Sequence, residues 1–142
     1  MDLIHLVERL YGTVYMPTTV VEELRHRGAP QAVREWAEHP PGWVLIRNAS
    51  PVALEEVTRL DRGERDALSL ALEMRADRVL MDDRRARVAA AKLGFAVTGT
   101  LAILGAAGQL GHLEYDTAIA RLLGLGFRAS RWDVEYARPQ KP

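Results

Sequence analysis

A chain of 142 residues suffices for one core-forming domain, with no call for a second. With 48% hydrophobic and 27% charged residues and no cysteine, it has the composition of a soluble globular protein of a reducing cytoplasm; disulfide scaffolds, thiolate zinc centres and cysteine nucleophiles are excluded. Nineteen basic residues balance nineteen acidic ones, so any affinity for nucleic acid must come from a local cluster rather than from the net charge.

The elements alternate between helix and strand. Leu3, Leu6, Val7 and Leu10 recur at helical spacing over residues 2–10, with Gly12 as the stop and no unbroken apolar run of the kind a secretory signal needs. Thr13 to Met16 form a strand closed by Pro17. Thr18 or Thr19 then caps a helix running through Val20, Val21 and Leu24 towards Gly28. Pro30 opens a helix through Trp36, and the turn Pro40-Pro41-Gly42 leads into a strand from Trp43 to Ile46. A long helix is expected from Gly63 to Ala76, a strand from Val79 to Met81, a helix from Arg84 to Leu93 and a strand from Phe95 to Val97. Leu93 to Gly111 carries no charge and has the length of a membrane span, but five glycines, Thr98, Thr100 and Gln109 favour a turn at Thr98-Gly99 and a buried helix from Thr100 to about Gly111. Two further helices follow within residues 114–137, and residues 138–142 form a flexible tail. This order predicts an α/β/α sandwich of three layers around a parallel sheet.

In a parallel sheet, ligands bind beyond the carboxyl ends of the strands, which singles out Asp82 and Asp83. Two adjacent carboxylates are costly unless a cation neutralises them, although either could instead cap the next helix. With Glu64 as zero and about 100° per residue, Ala71 lies near 340° and Leu68 near 40°, so Glu64 is centred on the apolar face while Asp66 falls near 200° with Glu73. Glu64 then either meets a cation or closes the capping box Asp61-Arg62-Gly63-Glu64. Glu23 borders the buried stripe of its helix, where a solvated flank position is the alternative. Together Glu23, Glu64, Asp82 and Asp83 come from three successive α/β units and offer the oxygen donors that Mg²⁺ or Mn²⁺ prefers, a set suited to activating water against a phosphodiester. Arg84, Arg85, Arg87 and Lys92 are either a nucleic-acid-binding run or an exposed basic helix face.

Competing motifs fail. Gly124-Leu125-Gly126-Phe127-Arg128-Ala129 matches a dinucleotide fingerprint in letters only, since it follows a helix and lacks the acid about twenty residues on. There is no Walker loop, no local zinc spacing among the four histidines and no nucleophile elbow.

Four segments in order, Pro17-Thr18-Thr19-Val20-Val21-Glu22-Glu23-Leu24, Leu60-Asp61-Arg62-Gly63-Glu64-Arg65-Asp66-Ala67-Leu68, Val79-Leu80-Met81-Asp82-Asp83-Arg84-Arg85 and Val97-Thr98-Gly99-Thr100-Leu101, resemble PIN-domain proteins, in particular a prokaryotic branch akin to VapC-type toxin nucleases. The resemblance implies a single PIN-like domain over 1–142 and a Mg²⁺- or Mn²⁺-dependent endoribonuclease acting on single-stranded RNA, with an antitoxin as a possible protein partner. By motif, the metal-binding and catalytic roles pass to Glu23, Glu64 and Asp82, with Asp83 beside them, and Thr98 and Thr100 fall at the crevice rim. Such proteins usually begin with a strand ending in Asp-Ser or Asp-Thr that supplies the first aspartate. Here the chain opens within the first helix, where Asp2 cannot replace it, so an N-terminally incomplete domain is expected. A missing central strand would leave backbone groups to be paired by a second copy, which predicts a homodimer. The alternative function is a catalytically impaired PIN-fold module that binds nucleic acid or serves in assembly.

Overall fold

The computed structural model describes residues 4–141; Asp2 and Leu3 of the expected first helix, and Pro142 of the expected tail, lie outside them. In chain order the elements are α1 (Ile4–Tyr11), β1 (Val14–Pro17), α2 (Thr18–Leu24), α3 (Gln31–Glu38), β2 (Val44–Arg47), α4 (Glu55–Thr58), α5 (Arg62–Met74), β3 (Arg78–Leu80), α6 (Arg84–Lys92), β4 (Ala96–Thr98), α7 (Thr100–Gln109), α8 (Tyr115–Gly124) and α9 (Arg131–Ala137). The expected alternation and the PIN-like α/β class with parallel strands are what the chain forms. It divides into two compact units, residues 13–97 and residues 1–12 with 98–142.

In the first unit β1 and β2 run parallel, with Val14 opposite Val44 and Pro17 opposite Arg47. β3 pairs with β4 as the second hydrogen-bonded couple. The core gathers Val57, Leu60, Leu68, Ala71, Val79, Ala86, Ala89 and Ala90, with Met81, Leu93, Phe95 and Val97 packed against it. The three core alanines of α6 lie within about 100° of arc, so this helix approaches its neighbours along a narrow small-residue stripe and leaves its charged residues, with Val88 and Ala91, outside it. α5 stops at Met74, before the expected Ala76, because Arg75 turns left-handed (φ 50°) and the Ala76 amide reaches back to the Ala71 carbonyl.

Two expectations are corrected. The helix after Pro17 ends at Leu24, not near Gly28, and neither Thr18 nor Thr19 caps it: Pro17 occupies the N-cap, without a side-chain bond. The hydroxyls have other partners, Thr18 donating to Asn48 Oδ1 at 2.6 Å and Thr19 to Asp66 Oδ2. The single-turn α4 went unforeseen because four residues carry no readable period.

The second unit is helical. Leu6 of α1, Leu104 and Ala107 of α7, and Tyr115, Ala118 and Ile119 of α8 form its core. Gly12 and Gly111 end their helices at positive φ, 70° and 77°, as the sequence led us to expect. The uncharged stretch resolves into β4 and the ten-residue α7, and among the described residues no helix is long and apolar enough to cross a membrane. Arg138, the first residue of the expected tail, bonds Asp116 at 2.7 Å and Glu135 at 2.8 Å.

Leu68 is fully buried at the centre of the first unit, between α5 and its neighbours. Leu68→Ala should lower unfolding stability by about 2–5 kcal/mol, read from urea denaturation, because the cavity cannot close without moving several helices.

Candidate metal and nucleic-acid site

Glu64 sits in the first turn of α5, half-buried. Its Oε2 accepts the Asp61 amide at 3.3 Å, the glutamate half of a capping box, so the capping alternative is realised. This does not neutralise the carboxylate. Burial, then the negative charge of Asp83, then those of Asp61 and Glu23 raise its proton affinity above that of an ordinary glutamate, against the lowering effect of the Asp61 amide. The acids therefore share one electrostatic neighbourhood.

Asp83 stands at the N-cap of α6, its Oδ1 accepting the Ala86 amide at 3.0 Å. The capping alternative thus holds for Asp83, which keeps a second oxygen. Asp82, one residue before it, is exposed. Both Glu64 and Asp83 lie at helix starts, where amide dipoles favour negative charge and offset part of the repulsion between them.

Glu23 reaches this neighbourhood through Gly63. A Cβ added at Gly63 would lie 2.7 Å from Glu23 Oε1 and 2.9 Å from Oε2, so the carboxylate rests against the bare backbone one residue before Glu64. Among the described residues it has no hydrogen bond or ion pair. A side chain at 63 would displace the Glu23 carboxylate from this seat.

Asp66 departs from its expected place on the solvated side of α5 beside Glu73. It is half-buried and accepts the Thr19 hydroxyl, because α2 covers the first turns of α5 on that side, whereas Glu73, further along, is exposed. The wheel describes one helix against one neighbour and misses a second one. The clue in the sequence was the pair of threonines opening α2, read there as caps.

The basic residues divide. Arg84, Arg85 and Lys92 line a cleft of about 440 Å³ between α4 and α6, facing Glu55, Glu56 and Arg59 above Leu60, Val88 and Ala89. From Arg84 as zero, Val88 and Lys92 fall within about 80° of arc and Arg87 at about 300°, which is why Arg87 lies outside the cleft. Arg59, absent from the sequence-derived set, pairs with Glu55, and its carbonyl accepts from Arg85 at 3.4 Å. Thr98, buried at the end of β4, and Thr100, opening α7, belong to the other compact unit.

Residues 1–137 match the family model DUF3368, a PIN domain. The chain belongs to the PIN-domain family. No curated protein and no solved structure matches it significantly. Membership supports nuclease-like chemistry and nucleic-acid binding in general, and PIN domains generally use divalent metals. The donors here are all carboxylate oxygens. Among the described residues no three His, Cys, Asp or Glu side chains close into a ready cage; Mg²⁺ commonly takes only one or two protein carboxylates and keeps several waters.

An acid with higher proton affinity when folded holds more protons in the folded state, so stability declines as pH rises from the ordinary glutamate range through the raised value. Glu64→Gln keeps an acceptor for the Asp61 amide but removes the charge. In chelator it should melt above the unsubstituted protein at neutral pH, and the gain should vanish below about pH 4; equal melting temperatures at neutral pH would contradict the shift.

Proposed function

We propose that the protein is a Mg²⁺- or Mn²⁺-dependent endoribonuclease of PIN type that hydrolyses phosphodiesters in single-stranded RNA. The observation that carries this reading is the convergence of Glu23 and Asp83 on Glu64, whose proton affinity burial and like charge raise. Such repulsion is costly in the metal-free protein and is relieved by a hard cation. Glu64, with Glu23 or Asp83, would hold the metal, the adjacent Asp82 reaching it through water, and the metal would supply polarisation of a phosphate oxygen and a more acidic water.

The chain's own groups account for the rest. Glu64, at the meeting point of the acids, accepts through its second oxygen the proton of the attacking water as that water's oxygen bonds to phosphorus; the bond to the leaving oxygen breaks, and that oxygen is protonated from solvent. Arg84, Arg85 and Lys92, beginning one residue after Asp83, hold flanking phosphates in the cleft along α6. Arg84 and Lys92 are about 12 Å apart along the helix, enough to engage different phosphates of one strand.

The absence of a closed three-residue cage among the described residues favours a second reading, a PIN-fold module that binds nucleic acid without cutting it. Calorimetric titration with Mn²⁺ and a labelled single-stranded RNA separates the two. The nuclease reading expects Mn²⁺ binding and RNA cleavage, both abolished by Glu64→Gln. RNA binding with no metal uptake at millimolar Mn²⁺ would assign the module instead.

Within the cleft the charges are unequal in role. Arg84→Ala and Lys92→Ala should each weaken RNA binding and flatten its salt dependence by about one phosphate contact, whereas Arg87→Ala should change neither, as read from affinities over a salt series.

A further inference from the structure

The acid cluster depends on a carboxylate that nothing holds directly. The Glu23 carboxylate has no hydrogen bond or ion pair among the described residues, so its position follows from how α2 is seated. α2 has only seven residues, and the bond that joins it to α5 is the Thr19 hydroxyl on Asp66, with Thr19 itself only 7% exposed.

Thr19 and Glu23 are four residues apart and share one stripe of α2; Gly63 and Asp66 are three apart and share one stripe of α5. As α2 advances from 19 to 23, its partners on α5 step back from Asp66 to Gly63, so the helices touch at two points, running in opposite directions. One point is a directional hydrogen bond. The other is the seat of Glu23 beside Glu64. At the radius where side chains lie, rotating α2 by 10° moves the Glu23 carboxylate by about 1 Å, well beyond the tolerance of a metal ligand.

We infer that Thr19, through its hydrogen bond to Asp66, is the positioning residue that fixes Glu23 against Gly63 and so sets where its carboxylate stands in the cluster. The role assigned to Glu23 rests on the metal-dependent reading above; the placement itself does not. Asp66 serves here as an acceptor, by its geometry rather than by its charge, and Thr19 acts on the metal site only through Glu23.

Three substitutions in the full chain test this. Thr19→Val removes the donor at nearly constant volume, Thr19→Ser keeps it, and Asp66→Asn keeps an acceptor while removing the charge. Mn²⁺ affinity is read by calorimetry, the Glu23 carboxyl resonance by carbon NMR of the metal-free protein, and folding by thermal melting. Thr19→Val should stay folded, weaken Mn²⁺ about tenfold, the lower end for groups that orient metal ligands, and shift the Glu23 resonance. Thr19→Ser and Asp66→Asn should preserve both. If Thr19→Val keeps the affinity and the resonance, or if Asp66→Asn weakens Mn²⁺ as strongly as Thr19→Val does, the inference is overturned. If the unsubstituted protein takes up no Mn²⁺ yet Thr19→Val still moves the Glu23 resonance, the positioning stands and the metal reading falls.

Discussion

Mutual repulsion among acids gathered at two helix starts is the interaction on which the candidate site of the first compact unit depends. Glu64 feels Asp83, Asp61 and Glu23 together, and its proton affinity rises. Amide groups at the starts of α5 and α6 offset part of this cost: the Asp61 amide meets Glu64 and the Ala86 amide meets Asp83. A fold concerned only with stability would spread such charges apart. That they stand together is the feature on which the proposed metal dependence rests.

A capping role does not exclude ligation by the same carboxylate. A carboxylate has two oxygens with about four acceptor positions, so an acid can take a helix amide on one oxygen and present the other. Asp83 caps through Oδ1, and Glu64 accepts through Oε2. The cap also locks each side chain in one orientation, which removes part of the ordering cost that a free surface carboxylate would bear on binding.

The helix-strand alternation, the α/β class and the helices from α5 to α9 were legible because apolar spacing and glycine stops are local signals. The four ordered motifs, matched by the family model over residues 1–137, carried the family. Three features were not legible, each for a physical reason. α4 is one turn long and has no period. The hydroxyls of Thr18 and Thr19 bond to groups distant in sequence, Asn48 and Asp66, where local reading could see only a cap. The cleft depends on which faces of α4 and α6 meet, so Arg59 entered and Arg87 dropped out once the helices were packed.

Gly63 leaves a trace of a different kind. The spacing between two acids of the cluster is recorded by a missing methyl group, at a position bearing no functional group of its own. A survey that inspected only the acidic positions would find Glu23 and Glu64 intact in a homologue with alanine at 63 and credit it with the same chemistry. In that homologue the carboxylate would have been moved from its seat, so a comparison of the acid geometry across the family has to include the glycine.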